Sequence, residues 1–197
     1  MNMLTRADLW SLEQYAEARD QFRADVLAHK KNRNLPVGEH LQLIFEDSLT
    51  VRYQIQEMLR IEKVFEASGI QEELDAYNPL IPDGDNWKCT LLIQYEDVEE
   101  RRIRLTELLG IEEKIWIKIG DCEPLYPIAD EDMDRADGEK TSAVHFLRFQ
   151  LTPAQQVAAR DNQELVVGVS HPAYPVAPEK IPEAIRLSLV TDIVNND

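Results

Sequence analysis

A chain of 197 residues with 44% apolar and 29% charged residues has the make-up of a folded domain, and its net charge of −16 argues against grip on a phosphate backbone, which needs Lys and Arg. No run approaches the roughly 18 apolar residues of a membrane span, and the start MNMLTRADLW lacks the basic flank and apolar core of a signal peptide, so a cytoplasmic protein is expected. Two cysteines, Cys89 and Cys122, are too few for a zinc site or a disulfide framework, and both are expected as reduced thiols.

The first 36 residues read as an N-terminal helical segment on a single domain spanning 1–197. The periodicity predicts a helix from about Arg6 to Lys31, with Thr5 as its N-cap and Leu9, Leu12, Ala16, Phe22 and Val26 on one face. This segment holds six basic side chains, Arg6, Arg19, Arg23, Lys30, Lys31 and Arg33, against five acidic ones, which leaves −17 on the remainder. A basic helix on an acidic body suits either an acidic partner or head-to-body self-association into a homo-oligomer. Lys30 and Lys31 also complement the helix dipole, and LPVG then breaks the chain.

Leu41, Leu43 and Phe45 alternate with Gln42 and Ile44, as a strand requires. Ser48 is expected as the N-cap of a helix that runs to Ala67, with Val51, Ile55, Met58, Leu59 and Phe65 on one face and Gly69 as its stop. NPLIPDGD is turn chemistry before a second strand at about Lys88–Glu96. At an offset of 50, FEDSLTVRYQIQEMLRIEK (45–63) lies over YEDVEERRIRLTELLGIEE (95–113) with seven identities. This suggests an internal strand–helix duplication related by a pseudo-twofold axis.

Further strands are predicted at Ile115–Ile119, His145–Leu151 and Leu165–Val169, with Gly168 marking a bulge or close backbone approach. Thr152 and Pro153 open a helix to about Arg160, and Pro182 opens a last one ending near Ile193. HPAYPVAP reads as merely extended. The expected fold is α+β: a mixed or largely antiparallel sheet of about five strands packed by long helices. A doubly wound parallel sheet is disfavoured, because the strands of 115–151 follow one another through an acidic loop.

Motifs of known chemistry fail on inspection. DEDMD (130–134) has calcium-loop spacing, but Arg135 stands where Gly is needed and Thr141 where a bidentate Glu is needed. GEKTS (138–142) lacks the earlier glycine of a phosphate loop. His29, His40, His145 and His171 form no local ligand pair, so no cofactor or metal is expected. The strand–helix junction at 45–60 has charges with structural uses: Asp47 and Ser48 favour a helix N-terminus, and Arg52, Gln56 and Arg60 form a ridge. It reads as a scaffold joint before it reads as a ligand surface.

RDQFRADVLAHKKNR, LIFEDSLTVRYQIQEMLRIEK, ELDAYNPLIPDG and EKTSAVHFLRF together resemble an uncharacterised bacterial domain-of-unknown-function family over nearly the whole chain. Genes of that family often lie beside those of rubrerythrin-like di-iron proteins and iron–sulfur oxidoreductases. The resemblance implies a redox or oxidative-stress setting with such proteins as partners, and it supplies no catalytic residues. Two functions compete. One is a non-catalytic accessory protein that binds a redox partner. The other is an enzyme or metal-binding protein whose site assembles from His145 and His171, with Glu46, Arg52 and Glu57 as carboxylate and anion-binding groups.

Overall fold

The computed structural model describes residues 3–131 and 138–194. The described residues form six α-helices and eight strands: α1 (Leu12–Lys30), β1 (Asn34–Val37), β2 (Leu41–Phe45), α2 (Ser48–Glu62), α3 (Ala67–Tyr77), β3 (Asn86–Ile93), α4 (Val98–Glu107), β4 (Ile115–Ile119), β5 (Ile128–Ala129), β6 (Val144–Gln150), α5 (Pro153–Arg160), β7 (Leu165–His171), β8 (Tyr174–Lys180) and α6 (Glu183–Val190). The strands form two sheets, ordered β1-β2-β3-β6-β5 and β4-β7-β8, and every pairing is antiparallel. The α+β expectation holds.

Alternation along each strand sends one face inward. Leu43, Phe45, Trp87, Leu91, Leu147 and Phe149 of the first sheet join Ile115, Ile117, Leu165 and Val167 of the second in a single apolar cluster. Gly168 lies where the β7–β8 register shifts, and a Cβ there would fall 2.3 Å from the Trp116 indole, so the close approach needs Gly. A helical layer has its own smaller cores. Val51, Ile55, Leu59, Leu74 and Ile81 form one, and Tyr15, Phe22 and Val26 form another beneath Trp10 and Tyr53.

The structure moves several expected boundaries. Thr5 caps only a 3₁₀ turn at 6–8, and α1 starts afresh at Ser11, whose hydroxyl accepts from the Gln14 N–H. The N-terminal helical segment stops at Lys30, because Leu35 and Val37 turn inward and pair with β2 as an edge strand. The helix expected to reach Ala67 is two helices. Lys63 adopts the left-handed conformation, and the Lys63 and Val64 N–H groups both close onto the Leu59 carbonyl. Gly69 then lies inside α3, and Phe65 is 73% exposed on the corner between them. In HPAYPVAP, His171 ends β7, residues 172–173 turn the chain, and the rest enters β8, which completes a second sheet. Asp132, Asp134 and Arg135 of the acidic loop lie outside the described residues.

Candidate functional site

The β2–α2 joint is held by charge. Asp47 caps α2, its Oδ1 accepting from the N–H groups of Leu49 and Thr50 at 3.0 and 2.9 Å. Its Oδ2 faces His29 Nε2 at 2.5 Å and Arg33 Nε at 3.5 Å. Arg33 is fully buried. Its guanidinium donates to the Phe45 carbonyl at 3.0 Å, the Glu46 carbonyl at 2.9 Å, the Ser188 side chain at 3.1 Å and the Asp192 carboxylate. One arginine therefore ties the joint to α6. Burial pushes the Asp192 carboxyl up to about 6, against the pull of Arg33.

Glu46 leaves the strand end half-buried. Its carboxylate accepts from Thr50 Oγ1 at 2.6 Å and from Thr90 Oγ1 at 3.2 Å. One turn into α2, the Arg52 guanidinium lies 4.2 Å over the Trp10 ring and 5.4 Å from that of Phe22. Glu57 joins α2 to α1. Arg19 donates to it through Nε at 2.7 Å and Nη2 at 2.9 Å, and the Tyr15 hydroxyl donates at 2.6 Å. These donors, Arg19 foremost, hold the Glu57 carboxyl down at about 2 despite its burial.

The histidines sit elsewhere. His145 is fully buried on the inner face of β6, with Nδ1 2.6 Å from Asp130 Oδ2 and Nε2 2.8 Å from Thr141 Oγ1 and 3.1 Å from the Ser142 carbonyl. Glu112 Oε2 stands 3.8 Å from Nε2 and accepts from the Thr141 hydroxyl at 3.1 Å. His171 ends β7. Its Nδ1 accepts from the Ala173 N–H at 3.2 Å and its Nε2 lies 3.1 Å from the Leu109 carbonyl. That pattern selects the neutral Nε2–H tautomer. His171 holds the Leu109 carbonyl directly, His145 is linked to Glu112 through Thr141, and the two histidines share no hydrogen-bond partner among the described residues. Among those residues no three His, Cys, Asp or Glu side chains are placed to hold a metal ion.

The structure brings Glu46, Arg52 and Glu57 onto one joint and separates them from His145 and His171. Within that joint, Glu57 and Arg52 fasten helix to helix, and Asp47 and Arg33 fasten helix to sheet. Cys89 and Cys122 are both unpaired thiols, and burial holds that of Cys89 well above its ordinary range. Sequence reasoning missed Arg33 as the hub of the joint. Its partner residues Ser188 and Asp192 lie 155 and 159 positions away, beyond any local pattern.

A family model described as a protein of unknown function (DUF3501) matches residues 3–193. Among solved structures, the chain is similar to the crystal structure of a novel protein of unknown function from Burkholderia pseudomallei K96243, determined at 1.90 Å. The two share 49% identity with a TM-score of 0.93, over 98% of this chain and 100% of that one. Comparison with curated proteins finds no match.

Proposed function

The chain belongs to the DUF3501 family, and we propose that it is a non-catalytic accessory protein that binds a partner protein, in the redox or oxidative-stress setting that the family resemblance implies. One observation carries the reading. At the α2–α3 corner, a groove of about 400 Å³ runs between Leu9, Trp10 and Leu12 on one side and Leu59, Val64 and Ile70 on the other. Phe65, 73% exposed, stands on its edge, and Ile61, 61% exposed, lies in the last turn of α2 before the break at Lys63. Large exposed apolar groups beside a preformed groove mark a surface that another protein covers. The net charge of −16 suits a steered encounter with a basic surface on that partner. The partner class, rubrerythrin-like or iron–sulfur redox proteins, is the one implied by the family resemblance.

The test mixes the purified chain with such a redox protein and follows complex formation by size-exclusion chromatography. A complex is expected that weakens as salt shortens the Debye length below its physiological value of about 8 Å. Phe65→Asp should abolish it without lowering the melting temperature of the isolated chain. The competing reading, a dispersed catalytic or metal site, is tested on the same material purified without a His-tag. Stoichiometric iron or zinc, lost in His145→Ala or His171→Ala, would overturn the accessory role.

A further inference from the structure

The α2–α3 corner carries a knob and a hole side by side. The chain leaves α2 through the left-handed Lys63, and Val64 then tucks against Gly69, where an added Cβ would fall 2.6 Å from the valine Cγ1. The next side chain, Phe65, is left outside, and Ile61 in the last turn of α2 is exposed with it. Beside them the groove of about 400 Å³ reaches solvent. Leu9, Leu12, Val64 and Ile70 in its walls are only half-buried, and Arg6 and Glu13, which also line it, are exposed. Every lining residue lies among the described ones.

The charge of this region differs from that of the rest. Residues 1–70 hold nine basic side chains against eleven acidic ones, so they carry only −2 of the −16. The groove itself is lined by one base, Arg6, and one acid, Glu13. Residues 60–66 add Arg60 and Lys63 against Glu62 and Glu66. A patch of one sign repels its own copy, whereas a patch with both signs in equal number lets each base meet an acid across a twofold axis.

We infer that two copies of this chain close on one another at the corner, about a twofold axis, each seating its Phe65 in the groove of the other. A hole remote from its knob builds an open chain of copies, but a hole next to the knob closes the assembly as a pair. Val64 fixed on Gly69 holds the knob in place before pairing, so little ordering is lost on association. The acidic bodies still repel, so the pair is weak, with a Kd of about 10–100 μM. This inference rests on the reading of the corner as a protein-docking surface and adds its regulation. In the free protein the second copy covers the groove, and a redox partner binds by displacing it.

The experiment is analytical ultracentrifugation of the full chain alone, from about 5 to about 500 μM, at low and at high salt. Monomer is expected at the dilute end and dimer at the other, with nothing larger. Salt should tighten the pair by about threefold or more, because it screens the like charge of the two bodies. A complex with a basic partner surface weakens with salt instead, so the two associations are told apart. Phe65→Asp and Ile61→Asp, both at exposed positions, should each weaken the dimer about tenfold or more. Val157→Asp, an exposed position on α5, should leave it unchanged. Circular dichroism melts of the dilute variants confirm the fold. A chain that stays monomeric to about 500 μM at both salts, a Phe65→Asp variant that pairs like the native chain, or growth beyond two copies would each overturn the inference. A dimer that binds no redox protein would sink the partner reading and leave this one standing.

Discussion

The β2–α2 and β3–α4 units start from nearly the same local code and end at different depths. In each, a strand runs into Glu-Asp and then a helix, and the aspartate caps it: Asp47 accepts from the Leu49 and Thr50 N–H groups, and Asp97 from that of Glu100. The strands are antiparallel neighbours, and Gln42 pairs with Leu92, the residue 50 positions on, so a local twofold passes between them. The order and the caps of the expected duplication recur. The packing does not. α2 buries Thr50, Val51, Ile55, Gln56 and Leu59, whereas α4 buries no residue.

The identical positions make the contrast sharp. Arg52 stacks on Trp10, whereas Arg102 pairs with Glu99 in solvent. Glu57 is gripped by Tyr15 and Arg19, whereas Glu107 is met by Arg104 on its own exposed helix. Leu59 is 2% exposed and Leu109 40%. Two positions later the pattern inverts, with Ile61 exposed and Ile111 fully buried. The cause is backbone. α2 runs on to Glu62, but α4 stops at Glu107, and Gly110, at a φ of 83° that favours glycine, redirects the chain into a 3₁₀ turn at 111–113. A cap and an amphipathic helix decide where a helix begins. The chain that later covers it decides what each residue does.

The largest test of that contrast is at Arg33, which joins only the first unit to α6. Arg33→Met leaves Asp192 buried without its cation, with Asp47 keeping only His29 on that oxygen, a change that costs about 3–5 kcal/mol. Asp97→Ala removes only a cap from the second unit and should cost about 1 kcal/mol. Urea unfolding measures both, and similar losses would erase the asymmetry. Next in size is the apolar pair. Leu59→Ala should destabilise by about 2–5 kcal/mol through a cavity in the helical core. Leu109→Ala, at a surface position, should stay within about 0.5 kcal/mol.

Titration separates the units further. Glu57 is held at about 2, below its ordinary 4.5, so its contribution is complete above pH 4.5 and is lost as pH falls toward 2. The stability gap between the native chain and Glu57→Gln should therefore narrow as acid is added below pH 4.5, read as converging urea midpoints. A gap constant with pH would show that Glu57 acts by shape and not by charge.

How much of this was legible depends on sequence distance. The strand at 41–45, the helix start at Asp47–Ser48 and the Thr152–Pro153 helix start are written within four or five residues, and the structure has all of them, with Asp47 and not the expected Ser48 as the α2 cap. β1 and β8 were hidden because each carries a proline and little apolar alternation; their strand character comes from the neighbour they pair with. The α2–α3 break rests on one left-handed Lys63, which no residue preference announces. Arg33 looked like one more base in AHKKNR. Only α6, folding back from the far end of the chain, makes it the centre of the joint.

The smallest expected difference is between the duplicated arginines. Arg102 makes an exposed i,i+3 pair with Glu99 at 3.3 Å, and such pairs contribute at most about 0.5 kcal/mol, so Arg102→Ala should be nearly silent. Among the described residues Arg52 makes no ion pair, its guanidinium lies over the aromatic faces of Trp10 and Phe22, and its buried Nε lacks a hydrogen bond. A cation over a partly desolvated indole contributes about 0.5–2 kcal/mol, and the orphaned Nε subtracts from that. Arg52→Ala should thus cost about 1 kcal/mol, and Arg52→Met, which keeps the stem on Trp10, somewhat less. A double-mutant cycle with Trp10→Leu isolates the ring contact from the stem. A coupling energy indistinguishable from zero would mean that Arg52, like Arg102, only covers surface, and that the two units differ in packing alone.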